Sequence, residues 1–148
     1  MSWYVWDVRR PTTQISPTAP GPAALVVDDD MGIRELIGEL LESEGYTVEL
    51  ASDGQLALER MRASSRRMVV LLDVMMPVLD GVRTLEIVAA DETLARRHGF
   101  VVMTASALGA SEALLRLARQ FNAPVLSKPF SIETLLNSIG DVASRLRD

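Results

Sequence analysis

Apolar and polar residues alternate with two distinct periods from residue 23 to the end of the chain. Five short segments are rich in apolar and β-branched residues, and three of them are almost continuously apolar, as strands covered on both faces are. The segments between them place apolar residues three and four positions apart, which is the spacing of amphipathic helices. The pattern predicts strands at residues 24–27, 47–51, 68–73, 100–104 and 124–127, with a helix after each.

The regular succession of strand and helix indicates one α/β domain. Parallel strands need a crossover connection, and a helix after each strand provides it. We therefore expect a doubly wound, five-stranded parallel sheet with five helices on its two faces. In such sheets ligands bind beyond the carboxyl ends of the central strands, so functional residues are expected at that edge.

Residues 1–22 differ in composition and are predicted to form a tail or linker before a domain at residues 23–148. Four of the seven prolines lie there, which favours an extended segment. Both tryptophans also lie there, in the run Trp3-Tyr4-Val5-Trp6. Two interpretations stay open, namely an accidental start without a structural role and an aromatic anchor that docks on this domain or on a partner.

Composition and charge narrow the class of protein. The 148 residues include no cysteine and one histidine, which excludes a disulfide scaffold and a Cys-ligated zinc or iron–sulfur site. The net charge of −5 disfavours direct binding to nucleic acid or to an anionic membrane. No apolar run approaches the ~18 residues of a membrane span. We expect a cytoplasmic protein without direct nucleic-acid or membrane contact.

Residues whose side chains could bind a ligand or react lie at or just after the ends of four of the five predicted strands. Taken singly, each has an ordinary explanation as a helix cap, a turn acid, a strand residue or a surface charge. Their convergence at one edge of a sheet predicts a site instead. They are Asp28, Asp29 and Asp30 after the first strand, Asp73 at the end of the third, Thr104 at the end of the fourth, and Lys128, the only lysine, after the fifth.

Such a cluster suits phosphoryl chemistry. Neighbouring carboxylates repel one another, and a hard divalent cation such as Mg²⁺ relieves that repulsion. Beside a cation, the carboxylate of Asp73 can attack phosphorus and form an acyl phosphate. Thr104 and Lys128 are placed to hold the phosphoryl oxygens.

Four motifs resemble the receiver domain of two-component response regulators, in the family's order over residues 23–148. They are Leu25-Val26-Val27-Asp28-Asp29-Asp30, Asp73-Val74-Met75-Met76-Pro77-Val78-Leu79-Asp80-Gly81, Met103-Thr104-Ala105 and Ser127-Lys128-Pro129-Phe130. The resemblance implies a flavodoxin-like sheet with strand order 2-1-3-4-5. It implies that Asp73 accepts a phosphoryl group from a phosphohistidine of a sensor kinase or phosphotransfer protein.

The resemblance also implies the remaining parts of the site. Mg²⁺ would be held by Asp28, Asp29, Asp73 and the backbone carbonyl of Met75, while Thr104 and Lys128 contact the phosphoryl group. The Lys128–Pro129 bond is expected to be cis. The protein would be a phosphorylated signalling protein and not an enzyme. A downstream protein, or a second copy on phosphorylation, would bind the face made by the fourth predicted helix, the fifth strand and the fifth predicted helix.

Two departures from the family pattern keep alternatives open. Val125 stands where many similar receivers have an aromatic switch residue, and apolar Met75 is expected to hinder water and prolong the life of phospho-Asp73. One alternative is an interaction module that keeps the fold but signals without phosphate. A phosphatase of the haloacid dehalogenase type is less consistent with the motifs. A flavin binder is disfavoured because the first aspartates would repel the flavin phosphate.

Overall fold

A computed structural model describes residues 21–106 and 110–146, and these residues form one α/β layer structure. Five strands lie in a single parallel sheet of order β2-β1-β3-β4-β5, as expected. The strands are β1 (Ala23–Val27), β2 (Thr47–Ala51), β3 (Met68–Asp73), β4 (Gly99–Thr104) and β5 (Val125–Ser127). The helices are α1 (Met31–Ser43), α2 (Gly54–Ala63), α3 (Gly81–Ala89), α4 (Glu92–Arg97), α5 (Glu112–Phe121) and α6 (Ile132–Arg145).

Two apolar cores, one on each face of the sheet, fix the central strands. Every residue of β1 and β3 is buried. Alternate residues of a strand point to opposite faces. Leu25 and Val70 accordingly join the core under α2, α3 and α5. Val26 and Leu71 join the core under α1 and α6. Burial on both faces explains why these strands are continuously apolar in the sequence.

Every described helix begins at an aspartate or serine whose side chain accepts a backbone N–H of the first turn. Each cap satisfies a backbone donor that has no partner inside the helix. These caps fix where the chain leaves each strand-end loop, and so they position the carboxyl edge of the sheet. The cap residues are Asp30, Asp53, Asp80, Asp91, Ser111 and Ser131.

The prediction of five helices was wrong, because the described residues form six. The additional helix, α4, has six residues and lies between α3 and β4. Asp91 caps it and Leu94 is its one buried residue, so it is too short to produce an amphipathic period. Three strand bounds also differ from the prediction by one residue, since β1 begins at residue 23, β4 at 99 and β5 at 125.

The sequence places His98 directly after Arg96 and Arg97, a pattern that predicts a surface loop, but the structure shows that this prediction was wrong because His98 is buried. Its side chain is 3 % exposed. The ring Nδ1 accepts the N–H of Met68 at 3.1 Å, and Nε2 lies 3.2 Å from the carbonyl oxygen of Met61. The ring therefore joins the end of α2 to the start of β3, with Nε2–H as the donor to Met61.

The sequence interpretation of residues 1–22 lies largely outside the described residues. Residues 1–20, with Trp3 and Trp6, are not described, so the division of the chain at residue 22 stays a prediction. Among the residues that are described, none of the helices combines the length and the apolar character that crossing a membrane requires.

Candidate functional site

The carboxyl ends of the central strands bring the predicted site residues to one edge of the sheet. Asp28 directly follows β1, and Asp73 is the last residue of β3. Thr104 is the last residue of β4, and Lys128 directly follows β5. The parallel register places these ends side by side, with Val27 opposite Leu72 and Thr104 opposite Ser127.

Three carboxylates form a compact acidic pocket at this edge. One oxygen from each of Asp28, Asp29 and Asp73 lies within 4.8 Å of the other two. Asp28 and Asp73 are buried, whereas Asp29 is exposed at the mouth. Closely spaced carboxylate oxygens are the donor set that a hard divalent cation prefers. The pocket therefore fits the metal site that the sequence predicted.

Lys128 bridges two of these carboxylates. Its Nζ lies 3.2 Å from Oδ2 of Asp28 and 3.4 Å from Oδ1 of Asp73. Burial disfavours the ammonium, but the attraction of Asp73 and Asp28 outweighs it and raises the pKa of Lys128. The side chain is therefore a fixed positive charge at neutral pH.

The carboxyl of Asp73 has a raised pKa. Burial raises its pKa, and the negative charge of Asp28 raises it further. The Lys128 ammonium lowers the pKa by attraction and by a hydrogen bond, and Asp29 raises it, so the net shift is upward. Asp73 thus carries a charge that its surroundings incompletely compensate, as is common for functional carboxylates.

Hydrogen bonds hold Asp28 in a single orientation. Its Oδ1 accepts the N–H of Asp30 at 2.9 Å, while Oδ2 faces Lys128. Nη1 of Arg34 donates to the backbone carbonyl of Asp28 at 2.7 Å. Sequence reasoning missed Arg34. Its place four residues after the cap Asp30, and so one turn into α1, was the available signal.

The loop between β3 and α3 wraps closely around Asp73. At Gly81, a side-chain Cβ would lie 2.6 Å from the carbonyl oxygen of Asp73, so only glycine lets α3 begin there. Val78 in the same loop has a positive φ of 69°, a strained conformation for a β-branched residue. Met75 is 73 % exposed beside the pocket. The role of its carbonyl as a ligand stays a prediction.

Thr104 and Lys128 are coupled through the backbone. The N–H of Lys128 donates to the carbonyl of Thr104 at 2.7 Å. The hydroxyl of Thr104 accepts the N–H of Ser106 at 3.4 Å. The Lys128–Pro129 bond is cis, which confirms that expectation. Val125 is half-buried and packs against the core under α2, α3 and α5. As a valine it places no aromatic ring at the switch position.

A doubly wound sheet with an acidic pocket and one bridging lysine defines a class of phosphoacceptor signalling domains. The family model of the response regulator receiver domain matches residues 24–140. The chain therefore belongs to the family of response regulator receiver domains, as its motifs suggested. Its acidic pocket fits the phosphoacceptor site of that family. This membership decides against the phosphatase and the flavin binder.

Relatives and solved structures agree with this assignment. The response regulator MprA of Mycobacterium ulcerans is 44% identical over 112 residues, which are 76% of this chain and 46% of that protein. The transcriptional regulatory protein CpxR homolog of Haemophilus influenzae is 50% identical over 62 residues, covering 42% of this chain and 26% of that protein. The chain thus spans at most about half the length of these relatives.

Two solved structures resemble this domain. The Francisella response regulator 1452 receiver domain has a TM-score of 0.73 and 28% identity, over 85% of this chain and 99% of that one. The receiver domain of the sensor histidine kinase PA1611 of Pseudomonas aeruginosa has a TM-score of 0.71 and 28% identity, over 84% and 98%. The latter structure holds a magnesium ion in its active site cleft.

Proposed function

We propose that Asp73 accepts a phosphoryl group from a phosphohistidine and that its phosphorylation switches a protein-binding face. The observation that carries this proposal is the ammonium of Lys128, which lies within 3.4 Å of Asp73 and 3.2 Å of Asp28 in a buried acidic pocket. If Asp73 served only to cap a turn, it would need neither to be buried nor to lie beside the carboxylates of Asp28 and Asp29.

The proposed transfer uses few protein groups. An oxygen of the Asp73 carboxylate attacks phosphorus and forms an acyl phosphate, while the N–P bond to the donor imidazole breaks and the ring nitrogen takes up a proton. Lys128 is placed to bind an oxygen of the transferred phosphoryl group, because its Nζ already contacts the attacking carboxylate of Asp73. Thr104 at the end of β4 is proposed to donate its hydroxyl to a phosphoryl oxygen.

Mg²⁺ is the cofactor that we propose for this reaction. Asp28, Asp29 and Asp73 would hold the ion, with the Met75 carbonyl as a further ligand. When bound, the ion neutralises the carboxylates and the incoming phosphoryl oxygens. The N–H of Asp30 holds Oδ1 of Asp28, and Arg34 holds the Asp28 backbone carbonyl, while Oδ2 faces Lys128 in the pocket. The metal-bearing PA1611 receiver domain supports the choice of ion.

The partners follow from the proposed chemistry. The donor would be a sensor histidine kinase or a phosphotransfer protein. A downstream protein, or a second copy after phosphorylation, would bind the face of α5, β5 and α6. We also propose a cytoplasmic location and no enzymatic turnover beyond the domain's own phosphorylation and dephosphorylation. The expected lack of nucleic-acid contact is proposed for the domain alone, since one relative is named a transcriptional regulator.

The test is the intact mass of the chain after incubation with a small acyl phosphate and Mg²⁺. We expect a gain of about 80 Da that is labile in alkali, as for one phosphoryl group on a carboxylate. The adduct should be absent in Asp73→Asn and in the presence of a chelator. Asp80→Asn is the matched control, because asparagine keeps the cap of α3 and leaves the pocket intact.

Three other results would contradict the proposal. A folded, Mg²⁺-loaded chain without an adduct would indicate an interaction module that works without phosphate. Consumption of the donor at a steady rate without an adduct would indicate a phosphatase instead. An adduct that persisted in Asp73→Asn would move the acceptor to another residue.

A further inference from the structure

An apolar groove lies between α1 and the start of α6. The cavity has a volume of about 580 Å³, and of its ten lining residues only Lys128 is charged. Two of the large apolar side chains in its wall are open to solvent, since Leu36 is 66 % exposed and Ile132 is 60 % exposed. Phe130 and Leu40 extend the same apolar wall. Exposed apolar surface of this extent is characteristic of an interaction site.

The groove differs in kind from other cavities of the described residues. One cavity beneath the amino ends of the strands is lined by Arg66, Arg67 and Ser65 together with apolar residues. Another is lined by Arg96, Arg97 and neighbouring polar residues. Those cavities suit water and ions, whereas the groove between α1 and α6 suits an aromatic or aliphatic segment.

We propose that the groove binds the chain's own N-terminal segment Trp3-Tyr4-Val5-Trp6. This segment holds both tryptophans of the chain and lies outside the region that matches the receiver family. Large aromatic side chains with a polar tip suit an open apolar groove, because the ring is buried while the N–H or O–H stays in contact with water. The phosphoacceptor function leaves this segment unexplained.

The chain enters the described structure beyond the C-terminal end of α1, the helix whose earlier turns line the groove. Gly21 packs against the carbonyl of Gly45, just beyond the end of α1, and the N–H of Thr47 donates to the carbonyl of Pro22. The groove residue Leu40 lies three positions before the last residue of α1, and Ile33 lies ten before it. At 1.5 Å per helical residue, the groove begins about 5 Å and ends about 15 Å from that end of the helix.

The connecting residues are long enough to make the contact within one molecule. Residues 7–20 number fourteen and include three prolines, Pro11, Pro17 and Pro20. Such a segment in extended form spans about 3 Å per residue, or roughly 40 Å in total. A segment tethered in this way has an effective concentration in the millimolar range, so a weak aromatic contact suffices for occupancy. That tether favours the chain's own segment over a free partner.

Tryptophan fluorescence of the full chain tests this proposal directly, because Trp3 and Trp6 are its only tryptophans. We expect emission at shorter wavelength, and weaker quenching by acrylamide, than in the urea-unfolded chain. The double variant Leu36→Gln/Ile132→Gln should shift both signals to the unfolded values, since two exposed groove contacts are lost. The ratio of docked to undocked chain should fall about tenfold or more.

Val78→Asn is the matched control, because Val78 is 80 % exposed, lies outside the groove and tolerates asparagine at its positive φ. It should keep the shielded signal, and circular dichroism should show that all variants fold. Fully exposed tryptophans in the unaltered chain would overturn the proposal. So would shielding that survives in the double variant. Shielding that disappears on dilution would assign the groove to the segment of a second copy and would overturn the intramolecular contact.

Discussion

Two oppositely charged residues govern the electrostatics of the pocket. Asp73 is buried among acids, and the ammonium of Lys128 is the charge that favours its ionised form. The two residues lie 55 positions apart in the sequence, so only the parallel sheet brings them together. Their meeting was predictable because each follows a central strand, and parallel strands end at one edge.

Removing the charge of Lys128 should make Asp73 harder to ionise. In metal-free protein we expect Lys128→Met to raise the pKa of Asp73 above that in the unaltered chain. The acid limb of its titration would then move to higher pH. Carboxyl ¹³C NMR of Asp73 between pH 3 and 9 measures this. Lys128→Arg retains the charge and should leave Asp73 closer to its original titration. An unchanged curve in Lys128→Met would contradict the ion pair.

Other residues of the site could not be predicted because their roles depend on tertiary contacts. Arg34 acts through the backbone carbonyl of Asp28, a bond that no motif encodes. Gly81 is required by the closeness of α3 to the end of β3. The orientation of Asp28 likewise depends on the bend of the chain toward Asp30. Sequence reasoning thus predicted which residues meet and missed what holds them in place.

At the scale of elements, His98 ties together segments on the amino side of the sheet. The ring contacts residues 30 and 37 positions earlier, at the start of β3 and the end of α2. Burial lowers the pKa of His98, and the positive charges of Arg97 and Arg67 lower it too, although the bond to Met61 acts the other way. The sequence predicted an exposed histidine because it lies beside two arginines. Its partners Met68 and Met61 are too distant along the chain for the sequence to indicate them.

Loss of the His98 contacts should destabilise the domain in a pH-dependent way. His98→Ala leaves the buried N–H of Met68 without its acceptor, which costs about 1–3 kcal/mol in the free energy of unfolding at pH 7.5. The unaltered chain should also lose stability as the pH falls below about 6.5, where the unfolded histidine gains a proton that the folded one resists. Urea unfolding at several pH values measures both effects.

His98→Asn is the informative companion variant. Asparagine keeps an acceptor for Met68 and does not titrate, so its stability should fall less steeply between pH 7 and pH 5 than that of the unaltered chain. Equal slopes for the two proteins would show that groups other than His98 cause the acid sensitivity.

At the scale of the whole molecule, the alternation of strands and helices was sufficient to predict the parallel sheet, and the order of its strands followed from the family resemblance. The central strands β1 and β3 are buried throughout because helices cover both faces of the sheet. Their continuous apolar runs can be recognised in the sequence without knowledge of tertiary contacts. Helix α4 escaped prediction because six residues hold less than two turns of period. Its single buried side chain, Leu94, packs against the folded core, and one apolar residue is not enough to predict a helix from the sequence.

Cation binding should stabilise the entire domain. The folded chain gathers Asp28, Asp29 and Asp73, whereas the unfolded chain separates them, so we expect Mg²⁺ to bind the folded state alone. At a hundredfold excess over its Kd the ion should add about 2.7 kcal/mol to the free energy of unfolding. Thermal unfolding with and without Mg²⁺ measures the gain as an increase in Tm.

Two adjacent aspartates provide the control for this measurement. Asp29→Asn removes a carboxylate of the pocket and should abolish most of the gain. Asp30→Asn lies outside the trio and keeps the cap of α1, so the gain should persist. A gain that is equal in both variants would place the bound ion elsewhere on the molecule.

The single lysine has a consequence for covalent chemistry that is unrelated to phosphorylation. The other basic side chains are fourteen arginines and one histidine, so Nζ of Lys128 is the only side-chain amine. Acylation of that atom converts an ammonium into a neutral amide. Asp28 and Asp73 would then face each other without their cation. In this chain, acylation of a single lysine therefore removes the positive charge that bridges the two buried carboxylates.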